Sequence, residues 1–153
     1  MQECACCDRA GQEGGTSLVA EVIPLAREED IVTARQRARE ISRELGFGAV
    51  DQSRIATAVS ELARNVLRYA GGALGDVRIR ALNGPSPERV GVEIIVHDEG
   101  PGIPDVPTAL REGYTSGVGL GMGLSGTRRL MDELTIDTAA GKGTTVTIRK
   151  WRR

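Results

Sequence analysis

Apolar and polar positions change period several times along this chain, and each change marks an element. Ser17–Ala26 (SLVAEVIPLA) reads as a strand, and Pro24 near its end fits an edge, because proline has no N–H to give to a ladder. From Asp30 the spacing lengthens: Ile31, Ala34, Ala38, Ile41 and Leu45 predict a first helix, stopped by Gly46. A second helix is predicted with Asp51 or Ser53 as N-cap, the stripe Ile55, Val59, Leu62, Val66 and Tyr69, and Gly71-Gly72 as its end. The period then falls to two over Asp76–Leu82 and Arg89–His97, two strands joined by the turn Asn83-Gly84-Pro85-Ser86-Pro87.

Residues 99–122 are rich in glycine and proline and carry no long apolar period, which predicts a lid or binding loop. A third helix is expected from Gly123 to Glu133, with Leu124, Thr127, Arg128 and Met131 at helical spacing. The last two strands, Leu134–Ala139 and Thr144–Lys150, flank the hairpin turn Ala140-Gly141-Lys142-Gly143. This order predicts an α+β, two-layer sandwich, one mixed sheet covered on one face by helices and open on the other. Residues 1–16 read as a flexible leader and residues 17–153 as one domain.

Composition narrows the classes of function. At 40% apolar and 27% charged the 153 residues suit an ordinary globular domain, and a net charge of −1 lacks the basic signature of a nucleic-acid binder. Protein or small-molecule partners are expected instead. No run reaches the roughly 18 apolar residues of a membrane helix, and no basic segment precedes an apolar one at the N-terminus, so a cytoplasmic location with no membrane partner is expected. Cys4, Cys6 and Cys7 are too close and odd in number for a disulfide framework. They belong to a loose tail, or bind metal or sense redox state, although no nearby histidine or further cysteine completes four ligands.

Three segments carry candidate chemistry. Val92, Ile94 and Val96 lead an apolar strand into Asp98-Glu99-Gly100-Pro101-Gly102. A carboxylate there can accept a hydrogen bond from a purine amino group, while Gly100 and Gly102 let backbone approach a planar base; the same run also suits a plain tight turn. Gly117, Gly119, Gly121 and Gly123 then alternate with Val118, Leu120 and Met122 ahead of the third helix, where bare N–H groups at the positive helix end suit a polyphosphate. The run is not a Walker loop, since no Gly-Lys-Ser/Thr follows, nor a Rossmann turn after a first strand. Glu61 and Asn65, four apart, share a helix face offset from the apolar stripe. That face is either merely solvated, or places a magnesium ligand, the Asn65 amide oxygen, beside a general base, Glu61.

Taken together, Glu61 to Asn65, Asp98 to Gly102 and Gly117 to Gly123 resemble the N, G1 and G2 boxes of the Bergerat-type (GHKL) ATP fold shared by gyrase, heat-shock protein 90, MutL and histidine kinases, and Gly143-Thr144-Thr145 resembles its glycine-threonine signal. Glu44-Leu-Gly-Phe-Gly48, Ile55-Ala-Thr-Ala-Val-Ser-Glu-Leu-Ala-Arg-Asn65 and Arg129-Leu-Met-Asp-Glu133 are similar to the bacterial anti-sigma and switch serine/threonine kinases, above all the RsbT type. The resemblance implies ATP and Mg2+ as cofactors, Asn65 as magnesium ligand, Glu61 as catalytic base and Asp98 as the adenine partner. It also implies that Gly100, Gly102, Gly117, Gly119, Gly121, Gly123 and Thr144 surround the nucleotide, with Thr115 and Ser116 in a lid near the phosphates.

The implied function is an ATP-dependent serine/threonine kinase of a partner-switching pathway. It would phosphorylate a STAS-domain antagonist or scaffold and, when released, activate a downstream phosphatase. The alternative is a nucleotide-gated anti-sigma factor that sequesters a sigma factor. A histidine-kinase catalytic domain is disfavoured, because His97 is the single histidine, sits inside a predicted strand, and no helical dimerisation segment is present. Arg35, Arg37, Arg39 and Arg43 with the tail Arg149–Arg153 form either a solvated face or a docking surface for an acidic partner, and the resemblance points to Arg35 as a partner contact.

Overall fold

The computed structural model describes residues 20–70, 72, 74–103, 105–110 and 123–153. The leader with its cysteines lies outside them. The described elements are β1 (Glu21–Leu25), α1 (Glu28–Glu44), α2 (Ala49–Tyr69), β2 (Gly75–Asn83), β3 (Val90–Asp98), α3 (Val106–Ala109), α4 (Gly123–Leu130), β4 (Glu133–Thr138) and β5 (Thr144–Trp151). Five strands form one sheet in the order β1-β2-β3-β5-β4, with Pro24 on the edge strand as expected. Every described junction is antiparallel, which corrects the expected mixed sheet. The reason is a hairpin. The chain returns from α4 into β4 running the same way as β3, but β5 folds back between them and separates the two parallel strands.

Local chemistry sets the helix ends. The Asp30 carboxylate accepts the Ala26 and Arg27 N–H groups at 2.8 and 2.9 Å, so α1 starts at Glu28, a little before the expected Asp30. Those two bonds hold the Asp30 carboxyl below the usual carboxylate range. At the other end Gly46 takes φ +86°, and the Gly46 and Phe47 N–H groups return to the Arg43 and Ser42 carbonyls at 3.0 Å. That is a Schellman stop, and it buries Phe47. The N-cap of α2 is Gly48, neither Asp51 nor Ser53; its carbonyl accepts the Gln52 N–H at 2.9 Å. Asp51 lies instead in the first turn, where its charge suits the helix dipole. The expected third helix is shorter, ending at Leu130 rather than Glu133, and the short α3 was not foreseen.

Helices α1, α2 and α4 pack on one face of the sheet over a core that includes Ile23, Ile55, Val59, Leu62, Val77, Ile94 and Ile148. The opposite face carries a cross-strand row of Arg80, Glu93, Arg149 and Glu133. Glu93 is only 1% exposed there because Arg80 and Arg149 bracket it, the latter at 2.7 Å. Much of the arginine tail is therefore structural. Arg149 belongs to this row, Arg152 donates to the Leu45 carbonyl at 2.8 Å, and Arg153 pairs with Asp132 at 3.0 Å.

Candidate functional site

The helix-facing rows of the sheet change character at one end. Ile23, Val77, Val96, Val146 and Ile136 stand opposite one another in an aliphatic row, and the next row reads Leu25, Gly75, Asp98, Thr144 and Thr138. A glycine, a carboxylate and two hydroxyls replace four branched side chains. Asp98 is half-buried, and its Oδ1 accepts the Gly100 N–H at 2.8 Å; no other described residue donates to this carboxylate. Among the described residues, one carboxylate oxygen at a sheet end is thereby left to accept a ligand proton.

Backbone contacts hold the loop after Asp98 against its neighbours. Glu99 N–H donates to the Leu74 carbonyl, Gly141 N–H to the Pro101 carbonyl and Ile103 N–H to Thr138 Oγ1, each at 2.9 Å, so Gly102 lies between two anchors. A Cβ on Gly100 would stand 2.8 Å from Ala70 Cα, which brings the loop onto the end of α2. Gly143, at φ +84°, packs so tightly that a Cβ would fall 2.1 Å from the Asp98 carbonyl oxygen. Only glycine meets both demands.

Helix α2 supplies the second part of the site. Asn65 is half-buried, about 7.5 Å along the axis from Ala70 at 1.5 Å per residue. Glu61, one turn further back, is 8% exposed, and the Arg64 guanidinium donates to its Oε1 at 2.7 Å. The expected polar face is therefore partly buried. Arg64 is the outer member of this pair, with 41% of its side chain exposed against 10% for Glu61. Gly123 opens α4 at φ +62°, and α4 packs on α2.

The structure thus brings Asp98, Gly100, Gly102 and Thr144 together at one sheet end, near the end of α2, with Glu61 and Asn65 further back along that helix. Thr115, Ser116, Gly117, Gly119 and Gly121 lie outside the described residues. Gly75, Thr138 and Gly143 were not among the candidates from sequence. Gly143 had a signal in the Gly-Thr-Thr run, whereas Thr138 looked like any strand threonine. These groups fit an adenine nucleotide: an open carboxylate oxygen to accept from the amino group and glycine backbone beside it. Among the described residues no group of three or more His, Cys, Asp or Glu could hold a metal ion. His97 faces the open side of the sheet, its Nδ1 2.8 Å from Thr145 Oγ1, as a sheet residue would. A groove of about 400 Å³ lined by Ala49, Val50, Ser53, Arg54, Thr57 and Leu130 lies at the other end of α2, away from Asp98. No helix among the described residues is long and apolar enough to cross a membrane.

Residues 25–150 match the family described as histidine kinase-like ATPase domain. The chain is 47% identical over 132 residues to the serine/threonine-protein kinase RsbT of Bacillus subtilis, covering 86% of this chain and 96% of that one. It is 36% identical over 101 residues to an anti-sigma F factor of Caldanaerobacter subterraneus, covering 63% and 68%. In fold it resembles the crystal structure of the RsbU and RsbW domains of a Mycobacterium tuberculosis protein, with a TM-score of 0.57 at 21% identity over 88% of this chain and 33% of that one. The mycobacterial sensor histidine kinase MprB is similar at a TM-score of 0.51 and 22% identity, over 88% of this chain and 99% of that one.

Proposed function

The chain belongs to the family of histidine kinase-like ATPase domains, and from that premise we propose that it is an ATP-dependent serine/threonine protein kinase of a partner-switching pathway. The observation that carries the reading is the polar row at one end of an otherwise aliphatic sheet, where Asp98, Gly100 and Thr144 meet beside the end of α2. Its substrate is a serine or threonine hydroxyl on a STAS-domain antagonist or scaffold, its location is the cytoplasm, and release from that partner frees it to activate a phosphatase.

MgATP, when bound, supplies the transferable phosphoryl group. Asp98 accepts the adenine amino group through its open oxygen, and the glycine backbone beside it admits the planar base. The Asn65 amide oxygen holds magnesium. Glu61 accepts the proton of the substrate hydroxyl; its burial limits competition from water, and Arg64 fixes the direction of its carboxylate. Thr115, Ser116 and the glycines from Gly117 to Gly123 belong near the phosphates in this reading.

The test is transfer of labelled γ-phosphate from MgATP to a STAS-domain protein of the same genome. Wild type labels a serine or threonine, and Glu61→Ala lowers the rate by at least about 100-fold while nucleotide still binds. Undiminished transfer by Glu61→Ala removes Glu61 as the base. The anti-sigma F relatives favour a second reading, a nucleotide-gated factor that holds a sigma factor. ATP binding and sigma-factor capture without transfer to any STAS protein would select it.

A further inference from the structure

We infer that Thr138, which touches no proposed ligand, is a positioning residue that sets the base selectivity of the nucleotide site by fixing the direction of the Thr144 hydroxyl. The inference rests on the reading of Asp98 and Thr144 as the base-binding end. Three groups surround Thr138 Oγ1: the Ile103 N–H at 2.9 Å, the Gly143 carbonyl at 3.1 Å and Thr144 Oγ1 at 3.0 Å. A hydroxyl has one proton and two lone pairs. The Ile103 N–H can only donate and the Gly143 carbonyl can only accept, so one lone pair of Thr138 and its single proton are assigned. The remaining lone pair must take the proton of Thr144. Thr138 is then saturated.

The consequence falls on Thr144. With its proton committed to Thr138, its oxygen presents lone pairs alone to the remaining side, and the cross-strand neighbour on that side is Asp98, a carboxylate that also accepts. Two adjacent acceptors at the end of a sheet suit a base edge that donates, such as the exocyclic amino group of adenine. They oppose a base edge that presents a carbonyl oxygen at the same place. The same Thr138 hydroxyl anchors the loop through Ile103 and the hairpin through Gly143, so polarity and loop position are set by one group.

The test compares MgADP with MgIDP, whose base carries a carbonyl oxygen where adenine carries the amino group. Dissociation constants are measured for the wild type, Thr138→Ser and Thr138→Val. The wild type prefers MgADP strongly. Thr138→Val keeps the shape but frees the Thr144 proton to turn toward the base, and the preference falls roughly tenfold. Thr138→Ser restores it, which a loss caused by altered packing alone would not do. Thr138→Val that weakens both nucleotides equally, or changes neither, overturns the inference while leaving the site reading intact. A wild type that binds both alike refutes the adenine role of Asp98, and the inference with it. A folded wild type that binds neither nucleotide refutes the site reading itself, and the inference with it.

Discussion

The two ends of the helix-facing sheet surface both carry polar groups, and they differ in how many described protein partners those groups have. At one end Lys150, 5% exposed, donates to the Leu130 carbonyl at 2.9 Å and lies 3.8 Å from Asp51 and 3.7 Å from Asp132. It caps the last turn of α4 and its charge is answered from two sides. At the other end Asp98 receives one described hydrogen bond, from a glycine two residues on. Burial alone therefore does not mark a functional site. An acceptor left open beside glycine backbone suits one better, because a ligand can complete it without first displacing a protein partner. Glu93 and Glu61 repeat the contrast: two arginines bracket the first, and one half-exposed arginine reaches the second.

If the contrast is real, substitutions at the two ends must fail differently. The largest effect is expected for Gly143→Ala, which forces a side chain into a positive φ with a Cβ 2.1 Å from the Asp98 carbonyl. Stability should drop by about 3 kcal/mol or more, and nucleotide binding should go with it, in denaturant unfolding and nucleotide titration of the same protein. Lys150→Ala should cost about 3 kcal/mol of stability, since it leaves the Leu130 carbonyl and Asp51 without their buried partner, while the fraction still folded binds nucleotide as the wild type does. Loss of binding by that folded fraction would erase the distinction between the ends.

A smaller effect concerns acid. Burial pushes the Asp132 carboxyl up, but the Trp151 N–H and the charges of Lys150 and Arg153 outweigh it and hold the group below its ordinary 3.8. A carboxyl lowered on folding adds stability that is fully present above the unfolded value and is lost as pH falls through the folded one. Unfolding midpoints should therefore fall below about pH 4, and Asp132→Asn should flatten that acid limb while lowering stability at neutral pH. An unchanged acid limb in Asp132→Asn would show that Asp132 contributes nothing to it.

Much of this was legible from the chain, for reasons that differ by element. The stripes of α1 and α2 and the alternation in β2, β3 and β5 announce their faces, because one buried side imposes a period. Helix ends were harder. Gly48 gives the same signal whether it stops one helix or starts the next, so Asp51 and Ser53 were stronger N-cap candidates than the residue that caps. Strand order was illegible for a related reason: alternation tells which face is buried but not which strand lies beside which, and the insertion of β5 between β3 and β4 follows from the hairpin. In the proposed site, Asp98 and Gly100 stand out as candidates because an apolar strand runs into an acid and glycines. Thr138 carried no such mark, because its importance lies in the cross-strand register with Thr144 and in a loop 35 residues away in sequence.

The central claim is that the open carboxylate of Asp98 makes its end of the sheet a nucleotide site. The most direct measurement is calorimetric titration of MgADP into the wild type and into Asp98→Asn, with thermal unfolding of the same samples. Asp98→Asn keeps the shape but presents an amide where the carboxylate stood, so affinity should fall at least about 100-fold while the unfolding midpoint shifts by no more than about 3 °C. Binding by Asp98→Asn as tight as that of the wild type would contradict the claim.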